Sequence, residues 1–268
     1  MYQNILTEVD HGVGMLTLNR PERHNAFDDA LIAELIDAIG MMADDDDVRV
    51  LVISSRGKSF CAGGDLNWMR RAAEFSAEDS LSDARRLAEM LRCVAQMPKP
   101  TVARVQGPAY GGGVGLVAAC DIAIATYEAQ FSLSEVKLGI IPAVIGPYII
   151  AAIGERYARR YMLTAERFAA AEAYRIGLVH EIVPDEAALD EAIGEIVDML
   201  LKNSPNALRE CKEMIRAVAS RPIGAEVIED TAQLSCRLRA SDEGREGMSA
   251  FLEKRQPKWV VDAGKRAE

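Results

Sequence analysis

The sequence predicts an α/β fold of repeated ββα or βαβ units, closed by a C-terminal region that is almost wholly helical. Three observations carry this. Strand-like runs alternate with helically spaced apolar residues over the first half of the chain. Two glycine-rich segments each follow a buried, strand-like run. From about Glu155 onward, helical spacing dominates.

Taken in order, residues 2–9 and 13–18 read as two short strands around a turn at His11-Gly12, with Ile5, Thr7 and Val9 sharing one face. Asn19-Arg20-Pro21 breaks the run. Leu31, Leu35, Ile36 and Ile39 recur at helical spacing, so residues 28–42 form a helix with Asp28 as its N-cap. The acidic run 44–47 suits a solvated loop. Val50-Leu51-Val52-Ile53 is continuously apolar, the mark of a strand buried on both faces. Asp65 suits the cap of a helix over 66–73. A helix over 80–97, a strand over 101–106, a glycine-rich loop over 107–113, a buried helix over 114–119 and a strand over 122–125 complete the pattern. A last strand is expected at 177–183, then helices over 204–220, 222–240 and 243–254. A boundary near residue 200 separates a core, 1–200, from a helical region, 201–268. No internal repeat is visible.

The chain has 268 residues, with 31 Lys and Arg against 41 Asp and Glu, a net charge of −10. Apolar residues make up 49% and charged residues 27%, ordinary for a globular protein. The acidic balance and the lack of a dense basic run argue against nucleic acid and against a polybasic membrane surface. The five cysteines are widely spaced, with no CxxC, and the three histidines form no HxxxH. A disulfide framework and a zinc site are therefore not expected, and a reducing compartment is. No signal peptide or membrane span is read, so a soluble, cytoplasmic protein is expected.

Chemistry concentrates in three places. Lys58-Ser-Phe-Cys-Ala-Gly-Gly-Asp65 and Gly107-Pro-Ala-Tyr-Gly-Gly-Gly113 both lead toward helices. Such loops leave unpaired N–H groups aimed outward with a helix dipole behind them. Two loops together could cradle one developing oxyanion; each also suits a plain tight turn. Neither matches a P-loop or GxGxxG. Glu135 is the third place. Ser132-Leu-Ser-Glu135 also fits a capping box, and the two readings can coexist. Asp65 and Asp121 read as structural. His24 and His180 lack ligand partners. Cys61 and Cys120 read as small core residues, and Trp68 and Met69 as core or pocket wall.

The ordered motifs LNRPERHNAF (18–27), SFCAGGDL (59–66), PKPTVARVQGPAYGGGVGLVAACD (98–121), AQFSLSEVKLGIIP (129–142), LTAERFAAAEAYRIGLVHEIVP (163–184) and SDEGREGMSAFLEKR (241–255) resemble the enoyl-CoA hydratase/isomerase, or crotonase, superfamily along almost the whole chain. The resemblance implies a crotonase-like spiral of ββα turns with a C-terminal helical region that trimerises, and trimers that often stack into hexamers. It implies a CoA thioester substrate, with coenzyme A as part of that substrate rather than a cofactor, and no metal.

Carried over residue by residue, the resemblance implies that the N–H groups of Gly64 and Gly112 hold the thioester oxygen. Lys58, Ala62 and Gly63 match positions near the adenine and pantetheine arm. Asp65 and Leu66 of the same motif are also expected to contact the substrate, and Leu66, Trp68, Met69, Ile141 and Ala143 would shape an acyl pocket. Arg23 would meet a CoA phosphate, and Phe251 and Lys254 would reach CoA, often from a neighbouring subunit. Of the two glutamates that typical hydratases use, one matches Glu135; the other position is Gly115, which has no side chain. A single carboxylate resembles many Δ3-Δ2-enoyl-CoA isomerases. DLNWMRR (65–71), residues 103–125 and IPAVIGPYI (141–149) resemble bacterial methylglutaconyl-CoA hydratases of leucine and isoprenoid breakdown, which carry the same glycine. The expected function is hydration of a branched or carboxylated 2-enoyl-CoA. An isomerase and an inactive acyl-CoA-binding relative are the alternatives.

Overall fold

Six strands form the main sheet. The structure, a computed structural model, describes residues 1–260. The last eight residues of the expected 201–268 region lie outside the described residues. Strands β1 (Ile5–Asp10) and β2 (Val13–Leu18) form the expected hairpin. The steps to β3 (Val50–Ser55), β4 (Thr101–Val105), β6 (Ile122–Thr126) and β9 (Glu181–Val183) are all parallel. On the edge strand β1 only Ile5 is buried, so the expected shared face of Ile5, Thr7 and Val9 is not a core face.

Period-2 geometry sorts the central strands onto two cores. Leu51 and Ile53 join the large cluster with α1 (Asp29–Asp44) and α3 (Ala77–Ala95). Val50 and Val52 face the other way and meet Leu189 and Ile193 of α7 (Glu186–Leu201). That double burial is why β3 reads as an unbroken apolar run.

A second, three-stranded sheet runs inside the spiral: β5 (Ala109–Tyr110), β7 (Gln130–Ser132) and β8 (Phe168–Ala169). Isolated bridges Phe27–Gly64 and Cys61–Ala109 extend it backward along the chain. Each turn therefore adds one strand to the main sheet, a short stretch to the inner one, then a helix. The turns are β2–Phe27–α1, β3–Cys61 to Gly64–α2 (Leu66–Ala72), β4–β5–α4 (Gly112–Ala119) and β6–β7–α5 (Gly146–Thr164). This is the expected ββα repeat. Helix α5 starts earlier than the sequence suggests, and Gly154 breaks it with left-handed backbone at φ 72°.

After α6 (Ala170–Arg175) and β9 come α7 and then α8 (Pro205–Val218), α9 (Ala225–Ala240) and α10 (Asp242–Leu252), in the expected places. Lys212 ties α8 to the core by an ion pair with Asp121 at 2.5 Å. Asp121 also accepts from the backbone and hydroxyl of Thr101, so its structural reading holds. Arg49 anchors the C-terminal segment through the carbonyls of Asn203 and Trp259, both at 2.8 Å. Among the described residues no helix is long and apolar enough to cross a membrane.

Candidate active site

The inner sheet brings the two glycine loops together. Tyr110 N donates to Cys61 O at 2.9 Å, so the loops run side by side. The approach is possible only without side chains. A Cβ on Gly63, whose φ is +86°, would lie 2.8 Å from the Tyr110 carbonyl oxygen and 3.7 Å from Gly112 N. A Cβ on Gly113 would lie 2.9 Å from Cys61 Cβ. Phe27, fully buried, threads between them: its N–H donates to Gly63 O at 2.6 Å, and its ring packs against Gly112.

Each loop ends at a helix start. Gly112 is the first residue of α4, where N–H groups lack intrahelical acceptors. Gly64 precedes Asp65, which caps α2 by accepting from Asn67 N at 2.8 Å and Trp68 N at 3.2 Å. Among the described residues, neither Gly64 N nor Gly112 N donates to another group. Both glycines line one cavity of about 560 Å³.

Glu135 lines the same cavity. It opens a short 3₁₀ turn after β7, and Gly111 N holds that strand through Ser132 O at 2.9 Å. The expected capping box does not form. Ser132 lies in β7, and the residue that stands at the N-cap of the turn is Ser134, whose side chain makes no capping bond. Burial raises the Glu135 carboxyl above its ordinary value, against one opposing contribution from its own backbone N–H. Oε2 is buried without a hydrogen-bond partner among the described residues. Oε1 lies against Gly111, 3.1 Å from where a Cβ there would stand. A desolvated carboxylate with a free oxygen, beside two free N–H groups, suits moving a proton next to a developing oxyanion.

The position of the second glutamate is filled rather than empty. A Cβ on Gly115 would stand 2.7 Å from Ile145 Cβ, with Cγ2 closer still. Ile145 is buried and lines the cavity, so this wall is apolar. Sequence reasoning missed it, because Ile145 follows Gly115 by a full turn of the spiral. It also missed Ser134 and the α3 wall of Ala84 and Leu87.

Other candidates fall into groups. Ala62, Gly63, Leu66, Trp68, Met69, Ile141 and Ala143 all line the cavity. Lys58 is exposed at the outer end of the first loop, and half-exposed Arg23 sits 3.4 Å from Asp65. The Asp65 side chain is committed to capping and to Arg23 and Arg20, so it positions the loop instead of facing the cavity. Phe251 and Lys254 lie at the exposed end of α10 and do not line the cavity. Burial pushes the Cys61 thiol up to about 12, in keeping with a core role. His24 Nδ1 pairs with Ser59 Oγ at 3.0 Å, and His180 Nδ1 accepts from Ala123 N at 3.1 Å. Among the described residues no cluster of three or more His, Cys, Asp or Glu could hold a metal ion.

A model of the enoyl-CoA hydratase/isomerase family matches residues 8–262. The chain belongs to that family. Among relatives of this family member, the 2,3-dehydroadipyl-CoA hydratase of Escherichia coli (strain K12) is 34% identical over 244 residues, 91% of this chain and 93% of its own. An enoyl-CoA hydratase structure from Shewanella pealeana ATCC 700345 superposes with a TM-score of 0.93 at 42% identity, covering 96% of each chain. One from Mycobacterium smegmatis has a TM-score of 0.90 at 33% identity, covering 97% of this chain and 100% of that one. At these identities the likeness extends beyond the fold to the crotonase family itself.

Proposed function

We propose that this protein hydrates a 2-enoyl-CoA thioester, with Glu135 as its single acid–base and the N–H groups of Gly64 and Gly112 as its oxyanion hole. The observation that carries the reading is the free Oε2 of Glu135 in the cavity that both glycines line. Glu135 takes a proton from water as the water oxygen bonds to C3, and the double-bond electrons pass to the thioester oxygen. The two N–H groups hold that enolate. Glu135 then returns its proton to C2, so water is added across the double bond and the enzyme is unchanged.

The acyl group we propose is branched or carboxylated, with 3-methylglutaconyl-CoA the first to test. The local sequence resemblance supports it, as does a relative named for a carboxylated enoyl-CoA. Among the described residues no Lys, Arg or His lines the cavity, so a substrate carboxylate belongs at the mouth, in contact with solvent. The test is absorbance of the conjugated thioester on mixing. Loss of the band, with a product heavier by one water, supports the reading; an unchanged band defeats it for this substrate.

Ile145 against Gly115 favours one second reading, a Δ3-Δ2 isomerase, because that wall offers nothing polar to hold water. Glu135 would then carry a proton from C2 to C4. A rise of the same band from a 3-enoyl-CoA supports it, and failure to convert any 3-enoyl-CoA rejects it. We also propose that α8–α10 carry a homotrimer or a hexamer of two trimers, since only Val227 and Ala250 of these helices are buried in the single chain.

A further inference from the structure

Helix α2 carries part of the cavity wall, yet none of its residues is buried. Its start is held by the Asp65 cap, and Arg71 pairs with Asp29 of α1 at 2.8 Å on the exposed side. Among the described residues, one side-chain hydrogen bond runs from α2 to α3: Trp68 Nε1 donates to Asp83 Oδ1 at 3.0 Å. The indole spans what lies between. Its six-membered ring packs over Gly64, with Cζ3 and Cε3 3.2 and 3.3 Å from where a Cβ there would stand. Its far end reaches α3 beside Ala84 and Leu87, and all four residues line the cavity.

An indole is rigid, with two rotatable bonds and one polar handle. Held at that handle, it is a strut from the oxyanion loop to α3. Released, its half-buried N–H would need another acceptor, and the ring would turn to find one. We propose that Asp83 is a positioning residue that sets the acyl specificity of the cavity, by fixing Trp68 as the wall between α2 and α3. The proposal rests on the reading of this cavity as an acyl-thioester site and goes beyond it by naming what holds its shape.

The test compares kcat/KM for short, unbranched crotonyl-CoA and for a branched 2-enoyl-CoA. Asp83→Ala should lower the branched-to-short ratio by about tenfold, mainly through KM of the branched substrate. Asp83→Asn, which keeps an oxygen acceptor, should retain the ratio. Trp68→Phe keeps a ring without the N–H, and should repeat the Asp83→Ala shift; it also carries the test if Asp83→Ala does not fold. An unchanged ratio in Asp83→Ala, equal damage from Asp83→Asn, or a loss of kcat alone shared by both substrates would overturn the proposal. If the unaltered protein converts neither substrate, the reading of the cavity fails by itself. The strut is then judged by Trp68 emission in a Trp259→Phe background, which leaves one of the chain's two tryptophans. Asp83→Ala should shift that emission toward the red, and unchanged emission overturns the strut.

Discussion

Glu135 shows how one side chain couples activity to stability. Its carboxyl is raised by burial, so the charged form is disfavoured in the folded state. As a general base it must be ionised, and the acid limb of kcat/KM should lie above the usual carboxylate value of about 4.3. Glu135→Gln should reduce turnover by roughly 10²–10⁴-fold, measured with the conjugated-thioester assay. The stability effect has the opposite sign. Below the ordinary carboxylate value both states are protonated and Glu135 contributes nothing. As pH rises through that value and on through the raised folded one, the penalty accumulates. Glu135→Gln should therefore raise Tm at neutral pH, with the gain vanishing in acid. At the same scale, Gly115→Ala should destabilise by about 1–3 kcal/mol, because its Cβ meets Ile145. In an Ile145→Ala background, where Cγ2 is gone but the Cβ at 2.7 Å remains, the same change should cost less. Thermal denaturation of the four proteins checks the difference.

At the scale of elements, one buried guanidinium joins two helix starts. Arg20 is 5% exposed and pairs with Asp28, the cap of α1, at 2.7 Å and with Asp65, the cap of α2, at 3.7 Å. Burial works to raise the Asp65 carboxyl. The N–H groups of Trp68 and Asn67 and the charges of Arg23 and Arg20 outweigh it and hold the carboxyl below its usual value. Its contribution to stability is present above the ordinary Asp value and fades as pH falls through the depressed one. Removing one partner of a buried pair leaves the other unbalanced, so Arg20→Ala should cost about 3–5 kcal/mol. Because the pair is buried, that loss should respond only weakly to salt; urea titrations at two ionic strengths test both statements. Sequence patterning located both caps, since Asp28 and Asp65 stand where helical spacing begins. It could not locate the guanidinium between them, because Arg20 sits in a stretch read only as a break after a strand.

At the scale of the whole molecule, the exposed apolar residues of α8–α10 matter most. Ile215, Ile228, Met248, Phe251 and Leu252 all reach solvent in the single chain. Amphipathic helices gain stability by burying such faces. Sedimentation should therefore find a species three or six times the 29.2 kDa chain. Phe251→Glu on α10, 83% exposed here, should weaken that assembly if another copy covers it. A monomer at micromolar concentration would refute the proposal. Sequence pattern alone fixed the elements long enough to show a period, such as the apolar run of β3 and the helices α1, α3 and α8. It also singled out the two glycine loops and Glu135, which are local features; the family resemblance narrowed the loops to Gly64 and Gly112. Strands β5, β7 and β8, with two or three residues each, are too short to carry a period. The inner sheet they form decides that the loops meet. Only the tertiary structure places Ile145 where a second glutamate would stand, and Asp83 behind Trp68. The first contact joins successive turns of the spiral and the second joins two helices across 15 residues, and a pattern of near neighbours along a sequence has no term for either.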